Sequence, residues 1–125
     1  MPVRSLNSSV LKWPDLHIVH QAVAAWSKEQ CRLRREILRI GYFGSYARGD
    51  WGVSSDLDLI LIVEQSGQPF WQRSLEWDVT RLPVPVDLLV YTQDEWLYMV
   101  EEDRRFAREV EAEAVWVYRA DREVR

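Results

Sequence analysis

The sequence predicts an α/β domain of the α+β kind, with short aliphatic strands interspersed among amphipathic helices. Three observations lead there. Leu57 to Val63 is an almost continuous aliphatic run, as expected of a central strand covered on both faces. Val84 to Tyr91 is a second run of the same kind. Around these runs, apolar residues recur at the spacings of three and four that place them on one helical face.

The elements follow in order. From Asp15 to Arg35, Leu16, Val19, Val23, Trp26 and Leu33 share a face with one gap at Gln30, and Pro14 stands where helices begin. Ile37 to Phe43 is a β-rich run that enters a tight turn at Gly44, and Ser45 to Trp51 fits a short helix closed by Gly49 or Gly52. After the Leu57 to Val63 strand, Gln65 to Pro69 is a loop and Phe70 to Leu82 reads as a helix. Pro83 and Pro85 forbid helix, and Pro85 is tolerated only near the start of the Val84 to Tyr91 strand. Thr92 is a suitable N-cap for a helix to Asp103 that places Trp96, Leu97, Met99 and Val100 on one face. Phe106, Val110 and Ala114, four apart, predict another helix. Val115 to Tyr118 reads as a last short strand, and Arg119 to Arg125 as a charged tail with nothing to bury.

At 125 residues the chain has the size of one domain, 1–125, with no room for a separate substrate-binding domain. A composition 47% apolar and 29% charged suits a globular core and excludes a disordered chain. The net charge of -4 removes any global field that would draw the protein to nucleic acid or to anionic membrane. Arginines cluster locally at Arg32, Arg34, Arg35 and Arg39, and again at Arg104, Arg105 and Arg108. Such runs ordinarily solvate a helix face, with a phosphate or acidic-partner contact as the alternative. The lone Cys31 has no partner for an internal disulfide, the N-terminus lacks a signal-peptide pattern, and no apolar run is long enough to span a bilayer. The expected compartment is the cytoplasm.

The chemistry is concentrated between Gly41 and Val63, in GYFGSYARGDWGVSSDLDLILIV. At Gly44 the missing Cβ lets the backbone approach a bulky anion, and Ser45 at a helix start adds a hydroxyl beside backbone N–H groups, so the pair reads as a phosphate cradle. Asp56 and Asp58, two apart on a strand, project from the same side about 7 Å apart along the chain. Like charges so placed repel and favour a cation between them. Mg²⁺ suits the arrangement, because it binds through one or two carboxylates together with substrate phosphates. A third carboxylate would permit two-metal in-line displacement. Asp87 is the candidate, since a charge inside the aliphatic Val84 to Tyr91 strand is costly unless paired or metal-bound. Its participation requires the two strands to be neighbours.

Gly44-Ser45, ten residues, then Asp56-Leu57-Asp58 resembles the signature of the DNA polymerase beta-like nucleotidyltransferase superfamily. The fuller string Gly44-Ser45-Tyr46-Ala47-Arg48-Gly49 is similar to its minimal branch, the antitoxin partners of HEPN-domain toxins. The resemblance runs through Asp87 and covers roughly residues 36 to 118, leaving the Asp15 to Arg35 helix as an addition that serves as a lid or a partner surface. It implies a small mixed β-sheet flanked by helices, Asp56, Asp58 and Asp87 as catalytic metal ligands, two Mg²⁺ ions when nucleotide is bound, and ATP as substrate. It also implies a nucleotide contact from Gly44 and Ser45. Arg48 has two readings, a triphosphate contact or a brace paired with a carboxylate.

Each feature also has an ordinary reading. Gly44-Ser45 alone is a turn and cap, and Asp56 and Asp58 alone are solvated residues at a strand start. His17 and His20, three apart, lack a third ligand and read as surface or partner-facing. Cys31 reads as a small apolar residue, and the tryptophans as core or interface, with Trp51 the one placed to line a nucleotide pocket. The expected function is transfer of AMP from ATP to a hydroxyl on a HEPN-type toxin. The alternatives are transfer to an antibiotic or metabolite, which would need a homodimer to complete the pocket, and a catalytically silent antitoxin that acts by occlusion.

Overall fold

A computed structural model describes residues 13–121. Helix α1, Leu16–Leu33, is started by Asp15, whose carboxylate accepts from the Ile18 N–H at 3.0 Å. Then come β1 (Ile37–Phe43), the one-turn helix α2 (Ser45–Arg48) and β2 (Leu57–Val63). They are followed by α3 (Phe70–Arg73), a 3₁₀ turn (Ser74–Glu76), β3 (Val86–Thr92), α4 (Gln93–Glu101), α5 (Arg105–Glu113) and β4 (Val115–Arg119).

The described strands form one mixed sheet in the order β3-β2-β1-β4. β1 pairs antiparallel with β2 and β4, while β2 and β3 run parallel, joined by the segment that carries α3. The aliphatic run of β2 is the interior strand its sequence implies, and side-chain alternation divides it between two cores. Leu57, Leu59, Leu61 and Val63 pack with Val19, Val23 and Trp26 of α1 and with Trp77 and Leu82 of the crossover. Ile60 and Ile62 face the other way, against Trp96 of α4 and Ala107 and Val110 of α5. Asp58 and Asp87 have the parity of Ile60 and Leu89, so both lie on the α4/α5 side.

The helix expected over Phe70 to Leu82 stops after Arg73 and a 3₁₀ turn. Arg73 is buried and captured by the carbonyls of Gln68 and Val90 (2.8 and 3.1 Å) and by both Glu95 oxygens (2.6 and 2.9 Å). Downstream, Asp78 accepts from the Thr80 N–H and hydroxyl, a local alternative to helix, and the Asp78 carbonyl takes the Trp26 indole N–H at 2.8 Å. Periodicity also overstated two faces: Leu33 at the end of α1 and Val100 of α4 are exposed. The tail begins later than expected, because Arg119 completes β4 and Ala120 is buried with its N–H on the Leu38 carbonyl at 2.8 Å. Residues 122–125 of that tail lie outside the described residues.

The α4 start is as read from sequence. Thr92 and Glu95 form a reciprocal capping box, the hydroxyl accepting from the Glu95 N–H and the carboxylate from the Thr92 N–H. Glu95 therefore serves both the cap and Arg73.

Candidate active site

β1 delivers the chain into the site at Gly44, which is buried with φ +75° and ψ -150°, a region that is essentially glycine's alone. A Cβ there would also collide with the Asp58 carboxylate. The glycine is thus required twice, by its own backbone and by the closeness of the aspartate. Helix α2 follows at once and is closed by Gly49 in the left-handed conformation (φ +88°), whose N–H bonds the Ser45 carbonyl at 2.9 Å. Ser45, half-buried, is the first residue of that turn.

Asp58 sits between two strands. Its register partner on β1 is Phe43, the residue before Gly44, and its partner on β3 is Asp87. The strand adjacency that sequence alone left open is present, and Asp56 lies just outside β2. Asp87 differs from expectation in one respect. It is exposed, because it is the second residue of an edge strand, so the penalty for a buried charge does not apply to it. Asp58 carries that burden instead. Burial raises its carboxyl above the usual range, the charges of Asp87 and Asp56 raise it further, Arg48 opposes them, and Glu113 adds a smaller push upward.

Glu113 is the member of the site that sequence reasoning missed. Its Oε2 accepts from the Gly44 N–H at 2.9 Å and lies 3.6 Å from Arg48 Nη1. Arg48 also reaches Asp50, with Nε to Oδ2 at 3.2 Å, so it stands between two carboxylates. Glu113 arrives there because α5 ends on it and β4 begins two residues later, with Val115 opposite Tyr42. In sequence it is one of several glutamates in a polar helix, with no local signal to separate it.

Other candidates have structural duties. Trp51 stacks on buried Tyr46 with rings 6° from parallel and 5.6 Å apart. The Tyr46 hydroxyl accepts from Trp13 Nε1 at 2.9 Å and donates to the Pro14 carbonyl at 3.2 Å, tying α2 to the start of α1. His20 is partly buried, with its Nδ1 2.9 Å from the Tyr42 hydroxyl, whereas His17 is exposed. The first arginine group is dispersed. Arg39 is buried over Trp116 and beside Glu111, Arg34 lies over Trp77, and Arg32 pairs with Glu29. A cleft of about 750 Å³ lined by Trp26, Leu33, Arg34, Asp78 and Arg81 lies elsewhere and includes none of the site residues.

Among the described residues no three His, Cys, Asp or Glu side chains form a ready-made metal cage. The donor set still suits a hard cation that is completed by substrate oxygens, because Asp58 is crowded by Asp87 and Asp56 and all three offer carboxylate oxygen. Among the described residues no helix is long and apolar enough to cross a membrane.

The fold is shared with several solved structures. A Sulfolobus solfataricus protein described as a candidate nucleotidyltransferase is 17% identical over 88% of each chain, with a TM-score of 0.60. A toxin–antitoxin structure with AMP-PNP is 16% identical over 78% of this chain and 74% of that one, at a TM-score of 0.54. A mutant of the toxin–antitoxin MntA–HpeT is 14% identical with the same coverage, at a TM-score of 0.52. No curated protein is significantly similar in sequence. The family model described as Nucleotidyltransferase domain matches residues 25–117, from within α1 into β4 and across the whole site. The chain belongs to the nucleotidyltransferase domain family.

Proposed function

We propose that this protein is a Mg²⁺-dependent nucleotidyltransferase that moves AMP from ATP onto a hydroxyl of a HEPN-type toxin and so acts as a cytoplasmic antitoxin. The observation that carries the transfer chemistry is the register of Asp58 opposite Asp87 with the Gly44 turn against Asp58. Asp56, Asp58 and Asp87 are the residues that would hold the metal, two ions with nucleotide present. When bound, the metal supplies charge neutralisation and Lewis acidity at phosphate oxygens.

The remaining work belongs to the chain itself. The Gly44-Ser45 turn orients the outer phosphates, and Arg48, half-exposed beside it, meets them from the end of α2. Asp87 is open to solvent, where it can receive the proton of an incoming hydroxyl. The acceptor oxygen forms a bond to the α-phosphorus as the α–β phosphoanhydride bond breaks, and pyrophosphate departs. In-line geometry is strict, with a misplacement of about 1 Å costing roughly a hundredfold in rate. The acceptor must therefore be held in place, and in this reading it is a folded protein whose own docking does so. The toxin–antitoxin neighbours, one with AMP-PNP, support the same reading.

An antitoxin that works by occlusion alone is the second reading, favoured by the apolar groove of Phe70, Tyr91, Tyr98 and Met99. Co-expression with a HEPN-type partner encoded beside it, followed by intact mass spectrometry, separates the two. Transfer predicts that the partner gains AMP groups with the wild-type chain and none with Asp58→Asn. Equal protection by both chains with no mass change establishes occlusion.

A further inference from the structure

Glu113 presents a carboxylate to the two groups best placed to hold a phosphate oxygen, the Gly44 N–H at 2.9 Å and the Arg48 guanidinium at 3.6 Å. It also adds to the negative field at Asp58, whose other contributors are Asp87 and Asp56. An anion entering the turn must therefore displace one carboxylate and approach three more.

We propose that Glu113 is a specificity-determining residue of the nucleotide site: it holds the Gly44 turn closed to bare polyphosphate, so that only a cation-neutralised triphosphate displaces it. The inference rests on the reading of the Gly44 turn as the phosphate cradle. Displacement is geometrically simple. Glu113 is the last residue of α5, its side chain is about a quarter exposed, and among the contacts described it is held by one charge-assisted hydrogen bond and one pair to the half-exposed Arg48. A bare triphosphate gains those two donors but meets the repulsion of the carboxylates. With a divalent cation among them that repulsion is offset, and Glu113 can turn outward to solvent. The carboxylate thus discriminates between the metal complex and the free anion, which would otherwise occupy the site unproductively.

The test is calorimetric, with inorganic triphosphate as the probe, in EDTA and in excess Mg²⁺. In wild type, binding with Mg²⁺ should be far tighter than in EDTA. In Glu113→Gln, which keeps an acceptor for the Gly44 N–H but not the charge, affinity in EDTA should rise by about tenfold, the scale of one charge-assisted hydrogen bond, and affinity in Mg²⁺ by much less. Glu113→Ala should move the same way, so the result stands if one variant folds poorly. Glu109→Gln on the same helix removes an equal charge outside the site and should change neither. Weaker Mg²⁺-dependent binding in Glu113→Gln would overturn the proposal and make Glu113 a metal ligand. An equal gain in Glu109→Gln would also overturn it, by reducing the effect to net charge. If wild type binds triphosphate in neither condition, it is the cradle reading that fails. If wild type shows Mg²⁺-dependent binding that Asp58→Asn abolishes, while Glu113→Gln leaves both affinities unchanged, this inference alone fails.

Discussion

Asp58 on β2 faces Asp87 across a parallel strand pair, one residue into each strand, while Gly44 closes on Asp58 from the other side. Two acids are thus aligned by backbone pairing rather than by loops, and the half-buried one is kept from ionising easily by burial and by its neighbours.

Asp58→Asn should accordingly abolish transfer and yet stabilise the free protein. The carboxyl is raised in the folded state, so folding favours its protonated form, and the penalty for ionising it is complete only above its folded pKa. Melting followed in EDTA should place the variant a few degrees above wild type at neutral pH. That gap should narrow as pH falls through the raised folded pKa and close below the ordinary aspartate pKa, where wild type is protonated in both states. A variant that melts lower at neutral pH would contradict the electrostatic account.

Gly44→Ala tests the turn. A side chain at φ +75°, ψ -150° costs of order 1–3 kcal/mol on its own, and the Asp58 carboxylate must also move aside. Chemical denaturation should show a loss in that range, with the fold retained by circular dichroism and ATP binding gone. At Gly49, also left-handed but with open space around it, alanine should cost only about 1 kcal/mol and leave binding largely intact.

How much of this is legible in sequence depends on whether a residue's role is local. Gly44, Ser45, Asp56 and Asp58 sit within one strand–turn–helix–strand passage, where a glycine at a turn and two acids on one side of a strand declare themselves. Asp87 is legible only as a candidate, since its role needs β2 and β3 to pair in register. The argument that it is buried misleads because edge position is a property of the sheet. Glu113 is invisible: its placement depends on β4 pairing with β1, 69 residues away from Gly44 in the chain. The false helix through Leu82 has the same origin, because apolar spacing cannot register that Arg73 is drawn to Glu95, 22 residues on.

That Arg73–Glu95 pair predicts an acid-sensitive element. Hydrogen bonding from Arg73 holds the Glu95 carboxyl below its usual value, with the Thr92 N–H assisting. Its stabilisation is therefore present above the ordinary glutamate pKa and is lost as pH falls through the lower folded value. Glu95→Gln keeps the cap geometry but leaves Arg73 buried without its counter-charge. Breaking a fully buried pair costs 3–5 kcal/mol, and because Glu95 is partly open the loss should be nearer about 2 kcal/mol at neutral pH. Urea titrations at neutral and acidic pH should show the difference from wild type shrinking with acid. A constant difference would assign the effect to packing.

Ser45→Ala isolates the phosphate cradle from the rest of the nucleotide site. Ser45 is the first residue of α2 and directly follows the glycine that lies against Asp58; in the proposed function its hydroxyl meets the outer phosphates rather than the nucleoside. Loss of one hydrogen bond to a charged oxygen should weaken Mg²⁺-dependent ATP binding by about tenfold. AMP, which has no outer phosphates, should bind the variant and wild type alike. The hydroxyl is small and lies outside both apolar cores, so the melting temperature should hold, and a change in affinity then reports on the site rather than on the fold. Isothermal titration with ATP, ADP and AMP in excess Mg²⁺ makes the comparison. The loss should grow from AMP to ATP, and an equal loss for all three would move the cradle away from Ser45.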